Sequence, residues 1–94
     1  MELEYSEDAL EDLDNILEYI AKDSLARALY FIDEIKSKIE LLIHFPRLGV
    51  SCRSKGIQED CRVLVFGPYL IFYSVGEDNI LVLSIINAAK DYTK

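Results

Sequence analysis

The sequence has few of the residues that bind metal ions in proteins, with one histidine and two cysteines among 94 residues. Cys52 and Cys61 do not form a Cys-x-x-Cys motif, and His44 has no second histidine beside it. The spacing therefore indicates neither a metal site nor a cofactor. We expect a cytoplasmic protein in which both thiols are reduced, with a disulfide between Cys52 and Cys61 as the less favoured alternative.

Long apolar runs are also lacking. Nothing in the chain approaches the eighteen or more apolar residues of a membrane-spanning helix, and we expect no signal peptide before Glu2. We therefore expect no association with a membrane. The length of 94 residues predicts one domain, residues 1–94, built around a single core.

Basic residues are scarce and unevenly placed. Ten basic side chains stand against seventeen acidic ones, which gives a formal net charge of −7. Residues 1–34 contain eleven acidic and two basic side chains, whereas residues 35–94 contain six acidic and eight basic ones. An acidic chain is not expected to bind nucleic acid broadly, so contact with phosphate would require a local basic cluster in the second half.

The first half of the chain predicts two helices. Ser6 fits the N-cap of the first helix, whose apolar residues recur at steps of three and four. Asp23 or Ser24 fits the cap of the second, which we expect to end at Phe45–Pro46 because proline disfavours helix in the preceding residue. The short connection predicts an antiparallel helical hairpin.

The remaining segments predict strands. Residues 1–5 alternate apolar and polar side chains, residues 47–60 are typical of a loop, and three apolar runs separated by turns follow. The sequence therefore predicts an α+β fold with a short N-terminal strand, a helical hairpin and a three-stranded antiparallel meander. The expected meander strands are Arg62–Phe66, Tyr69–Val75 and Ile80–Ile86.

The meander is apolar on both faces, although a helical hairpin covers only one. Antiparallel sheets usually leave the second face polar, so we expect a partner protein to cover it. The alternative is that these side chains only satisfy strand propensity. The candidate partner-binding residues are Val63, Val65, Leu70, Phe72, Leu81 and Leu83.

Four segments of this chain resemble toxins of the ParE/RelE superfamily of bacterial type II toxin–antitoxin systems. They are YSEDALEDLDNILEYIA, IELLIHFPRLG, VLVFGPYLIFYSV and the closing IINAAKD. The resemblance implies a toxin that a cognate antitoxin neutralises in a hetero-oligomer. It also implies one of two targets: ParE-like members inhibit DNA gyrase, whereas RelE-like members cleave messenger RNA on the ribosome.

The resemblance supplies candidate residues for each target. Ribonuclease chemistry needs a base, an acid and cations beside the developing charge, for which the candidates are Arg62, Lys90 and Tyr92. The candidates for binding the target are Arg47, Arg53 and Lys55. Tyr69 and Tyr73 are interpreted as packing residues, and the alternative for Arg62 is an ion pair with Glu59 or Asp60.

Three departures from the family pattern favour the ParE-like interpretation. Asn87 stands where relatives often have histidine, Lys90 where arginine is usual, and Ser74 where arginine is frequent. Each departure removes a proton shuttle or a forked cation that cleavage would use. Ribosome-dependent cleavage of messenger RNA is the second choice, and a non-toxic member that still binds antitoxin is the third.

Overall fold

The predicted N-terminal strand, helical hairpin and three-stranded meander form in the predicted order, and the structure adds one short strand and one short C-terminal helix. The computed structural model describes the backbone of residues 1–91 and the side chains of residues 1–89. The helices are α1 (Glu7–Ala21), α2 (Leu25–Glu40) and α3 (Ala88–Asp91). The strands are β1 (Glu2–Tyr5), β2 (Val50–Ser51), β3 (Arg62–Phe66), β4 (Tyr69–Val75) and β5 (Asn79–Asn87), which confirms the three predicted meander strands to within one residue.

The helical hairpin begins where the capping residues predict. The Ser6 hydroxyl accepts a hydrogen bond from the Ala9 N–H at 3.0 Å, and the Ser24 hydroxyl accepts one from the Arg27 N–H at 3.2 Å. The predicted end of the second helix is wrong by a few residues. α2 ends at Glu40 and continues as a 3₁₀ turn over Leu41–Ile43, so the chain tightens before it reaches Pro46.

The sheet has the strand order β1-β5-β4-β3-β2. β1 runs parallel to β5, and every other pair is antiparallel. β2 pairs with Arg62 and Val63 of β3. The prediction that residues 47–60 form a plain loop is therefore wrong, since they contain β2 and a 3₁₀ turn over Cys52–Lys55. A two-residue strand is too short to give a periodic signal.

The hairpin covers one face of the sheet and forms the main core with it. Leu13, Ile16, Ile35 and Ile39 of the helices pack against the sheet in one cluster of buried side chains. From the sheet, Leu64, Tyr69, Ile71, Tyr73, Ile80, Val82 and Ile85 contribute to the same cluster.

The second face is partly covered by the chain itself, through the segment Cys52–Cys61. Cys52, Val63 and Leu70 are buried together there, and Ile57 and Phe72 pack against them. The expectation that nothing in the chain covers this face is therefore wrong. Cys52 and Cys61 are joined by a disulfide with their Cα atoms 5.3 Å apart, which corrects the expectation of two reduced thiols.

α1 also covers the part of β5 that extends beyond β1. The pairs Phe72–Ser84 and Tyr73–Val82 leave Leu83 as the extra residue of a β-bulge. The Ser6 hydroxyl donates to the Leu83 carbonyl at 2.8 Å, and the Asp12 carboxylate accepts the Ile85 N–H at 2.8 Å. The N-cap residue of α1 and one side chain within α1 thus satisfy main-chain groups that β1 does not reach.

β1 places Tyr5 against the main core. Burial raises the pKa of the Tyr5 hydroxyl, and the neighbouring carboxylate of Glu40 raises it further. The hydroxyl is therefore neutral at physiological pH.

Among the described residues, no helix combines the length and apolar composition needed to cross a membrane.

Ile71 and Val65 give a matched test of which sheet face holds the core. Ile71 is fully buried, whereas Val65 is 53% exposed. We expect Ile71→Ala to lower the free energy of unfolding by about 2–5 kcal/mol because it leaves a cavity. Val65→Ala should cost less than about 1 kcal/mol. Urea unfolding followed by circular dichroism measures both, and equal losses would contradict the packing described above.

Candidate functional site

Tyr73 holds the turn that follows the helical hairpin, residues 45–49. Its ring is fully buried in the main core, which confirms the interpretation of Tyr73 as a packing residue. Its hydroxyl donates to the Pro46 carbonyl at 2.7 Å and accepts the buried Gly49 N–H at 2.9 Å. One side chain of β4 therefore fixes both ends of this turn, and we call this arrangement the Tyr73 clamp.

Gly49 is required at this place by close approach. A Cβ atom on Gly49 would lie 2.5 Å from the Val63 carbonyl oxygen and 2.9 Å from the Tyr73 hydroxyl. Both distances are shorter than any ordinary carbon–oxygen contact, so a side chain would push the turn off β3. The glycine in the sequence FPRLG thus reflects packing of the turn on the sheet.

Arg62 holds the same turn from β3. Its guanidinium donates to the Gly49 carbonyl from Nε at 3.1 Å and from Nη2 at 2.7 Å, and Nη2 also lies 3.4 Å from the Arg47 carbonyl. The hydrogen bonds of Arg62 thus go to main-chain carbonyls, and not to Glu59 or Asp60 as one interpretation of the sequence had it. Because these bonds use the forked geometry of the guanidinium, Arg62 acts here as a structural anchor.

Of the three proposed ribonuclease residues, Arg62 is the one whose side chain the structure describes. Arg62 pairs with Tyr73 across the sheet, whereas Asn87, just before α3, pairs with Tyr69 at the other end of β4. Four residues of strand separate these two ends by about 13 Å. The backbone of Lys90 lies in α3, and its side chain is not among those that the structure describes. Tyr92 lies outside the described residues.

A groove of about 760 Å³ lies beside the turn. Phe45, Arg47 and Leu48 of the turn line it together with Asp60, Arg62 and Val75. Phe45, Leu48 and Val75 are exposed apolar side chains, with Phe45 60% exposed. Apolar side chains beside one exposed arginine are typical of protein–protein contacts, in which aromatic and arginine residues are enriched.

Arg53 and Lys55 lie on the 3₁₀ turn that follows β2, and both side chains are exposed. The Ser51 hydroxyl accepts the Arg53 N–H at 3.3 Å, and the Ser54 hydroxyl donates to the Ser51 carbonyl at 2.6 Å. The turn ends at Gly56, whose φ of 82° is favoured by glycine. The chain thus presents two cations on a short, capped turn that the disulfide also holds.

The six candidate partner-binding residues differ in their exposure. Val63 and Leu70 are 2% and 7% exposed, since they form one buried cluster with Cys52, against which Ile57 of the same segment and Ile86 and Ala88 also pack. Val65 is 53% exposed, and Phe72, Leu81 and Leu83 are half-buried. The surface that a partner reaches without moving the chain therefore consists of Val65, Phe72, Leu81 and Leu83.

The sequence interpretation missed an apolar patch on the outer side of α2. Leu25, Leu29 and Tyr30 are 61%, 52% and 67% exposed. The signal was present, because LARALYFI places apolar residues on more than one side of a helix. Exposed apolar side chains grouped in this way mark a second candidate surface for a partner.

Within the part of the chain that the structure describes, no three histidine, cysteine, aspartate or glutamate side chains are grouped to hold a metal ion.

Over residues 3–92, the chain matches the family described as the ParE toxin of the type II toxin–antitoxin system, parDE. The chain belongs to the ParE toxin family. A solved structure of a chromosomal ParDE toxin–antitoxin system from P. aeruginosa has a similar fold, with a TM-score of 0.77 at 23% sequence identity. That similarity covers 93% of this chain and 95% of the other. No curated protein matches the sequence.

Membership of the ParE family confirms the resemblance inferred from the sequence, and the similar structure confirms the α+β fold. The Tyr73 clamp and Arg62 fix the turn after the hairpin, and the disulfide fixes the segment after β2.

The Tyr73 clamp can be tested with a pair of identical chemical changes on one strand. Tyr73→Phe leaves the buried Gly49 N–H without its acceptor, and we expect a loss of about 1–3 kcal/mol in the free energy of unfolding. Tyr69→Phe, four residues earlier and also buried, should change it by less than about 0.5 kcal/mol. Chemical denaturation measures both variants. Equal effects would mean that the clamp contributes nothing to stability.

Proposed function

We propose that this ParE-family toxin acts in the cytoplasm by binding and inhibiting DNA gyrase, without cleaving RNA. The observation that carries the proposal is the position of Arg62. Arg62 is the main candidate for catalysis. Its guanidinium, however, binds the carbonyls of Gly49 and Arg47 and so holds the turn. A cation committed to main-chain carbonyls is poorly placed to stabilise the charge of a reacting phosphate.

The sheet register supports the same proposal. Arg62 lies at one end of β3 and β4, whereas Asn87 and α3 lie at the other end. Acid–base catalysis requires the participating groups within hydrogen-bond reach of one substrate. A binding surface has no such requirement, because its contacts are spread over many residues.

We propose that the target surface comprises Arg47, Arg53 and Lys55 together with the apolar groove beside the turn. Arg47 lies on the wall of this groove, and the two-residue strand β2 leads directly from the turn to Arg53 and Lys55. Three exposed cations near exposed Phe45 and Leu48 suit an acidic protein surface with apolar anchors.

We propose further that a cognate antitoxin binds the remaining apolar surfaces and forms a hetero-oligomer with the toxin. Val65, Phe72, Leu81 and Leu83 form the reachable part of the second sheet face, and Leu25 and Leu29 lie on α2. An extended segment and an amphipathic helix of a partner would suit these two kinds of surface.

The two candidate targets predict different first effects in cells. We would induce this chain alone and follow the incorporation of labelled thymidine and methionine during the first minutes. Inhibition of gyrase should lower thymidine incorporation first, because replication depends on supercoiling. A first fall in methionine incorporation would contradict the proposal and favour cleavage of messenger RNA on the ribosome.

The target surface can be tested by a charge-matched pair of double variants. We expect Arg53→Ala with Lys55→Ala to weaken binding to gyrase about tenfold, which corresponds to about 1.4 kcal/mol. The control is Arg27→Ala with Lys36→Ala, which removes the same two residue types from exposed positions of α2. Surface plasmon resonance with immobilised gyrase measures both. Equal losses would show that only net charge matters.

A further inference from the structure

The segment Cys52–Cys61, which we call the flap, covers the second sheet face with few apolar contacts of its own. Apart from the two cysteines, Ile57 is its one apolar side chain, and it is only half-buried. The exposed residues of the flap are Arg53, Ser54, Lys55, Gly56, Gln58, Glu59 and Asp60. So small an apolar area gives little hydrophobic stabilisation, and the crosslink therefore matters for the position of the flap.

The main-chain hydrogen bonds of the flap mostly close it on itself. The Cys52 N–H donates to the Cys61 carbonyl at 2.8 Å, and the Ile57 N–H donates to the Cys52 carbonyl at 3.0 Å. The Gly56 N–H donates to the Arg53 carbonyl at 3.1 Å. These bonds shape the flap, but they do not tie its tip to β4 or β5.

The part of the sheet beneath the flap is apolar. Val63 and Leu70 are buried there, and Phe72 packs against them. A cavity of about 380 Å³ remains between the flap and the sheet, lined by Ile57, Cys61, Phe72 and Leu83 among others. The cover is therefore incomplete, and the same face continues from under the flap to the exposed side chains beside it.

We propose that the Cys52–Cys61 disulfide is a redox latch that holds the flap over the second sheet face. In the oxidised chain the flap covers Val63 and Leu70 and holds Arg53 and Lys55 on a fixed turn. In the reduced chain the flap moves away and exposes Val63 and Leu70. This inference concerns the chain alone and does not depend on gyrase as the target.

The difference in burial between the two cysteine residues indicates the point of attack. Cys52 is fully buried, whereas Cys61 is half-buried and lines the grooves on both sides of the flap. A thiolate of a small dithiol attacks Sγ of Cys61, the bond between the two sulfurs breaks, and Cys52 leaves as a thiolate that takes up a proton. The second thiol of the reductant then displaces Cys61. The disulfide gains two electrons and two protons, and the dithiol becomes a disulfide.

Hydrogen exchange on the purified full-length chain tests the latch. We would compare the chain oxidised by glutathione disulfide with the chain reduced by dithiothreitol, and follow the amides of Gly56 and Ile57. We expect these two amides to exchange at least about tenfold faster in the reduced chain, because reduction removes the constraint on the flap. Core amides of α2, such as Ile35, should exchange equally in both states.

The matched control is Cys52→Ala with Cys61→Ala, which should exchange quickly in the flap whether or not dithiothreitol is present. If that variant loses its circular dichroism signal, the comparison of oxidised and reduced wild-type chain decides alone. Mass spectrometry of the mixed disulfide with glutathione should place the adduct on Cys61. Equal flap exchange in both redox states would overturn the proposal, as would two free thiols after oxidation.

Discussion

The two hydrogen bonds of the Tyr73 hydroxyl are the constraint on which the candidate site depends. They join the buried core of β4 to the turn at residues 45–49, and so connect the helical hairpin to the sheet at a second place. Since Gly49 then lies against the Val63 carbonyl, the forked side chain of Arg62 reaches the Gly49 carbonyl as well. The groove lies beside the turn that is held in this way. β2 and the 3₁₀ turn that carries Arg53 come next along the chain.

This arrangement is the basis of the proposal that the chain acts by binding and not by catalysis. Fold alone does not determine function, which depends on the side chains of the site. Here Arg62 is used for structure, and the chain end that bears Lys90 lies at the opposite end of the sheet. What remains near the turn is a set of exposed cations and apolar side chains, which is the composition of an interface.

The sequence predicted the regular elements well because their signals are local. The N-caps at Ser6 and Ser24 and the three meander strands each follow from side chains within the element. Three features depend on contacts between distant residues and were missed: the pairing of β2, the cover over Val63 and Leu70, and the role of Arg62. The disulfide was judged from the expected compartment, whereas the fold brings Cys52 and Cys61 close enough to bond. For the candidate site, the residue types and the surfaces could therefore be predicted. That Arg62 binds main-chain carbonyls, whereas Arg53 and Lys55 are exposed, could not.

The central claim is that this chain acts on gyrase by binding alone. The most direct measurement uses purified gyrase, relaxed plasmid and the purified chain, with a purified translation system as the parallel assay. The account predicts that supercoiling falls in proportion to the toxin added, while messenger RNA on translating ribosomes stays intact. Unchanged supercoiling together with cleaved messenger RNA would contradict it, and would require that Arg62 leave its carbonyl partners to take part in cleavage.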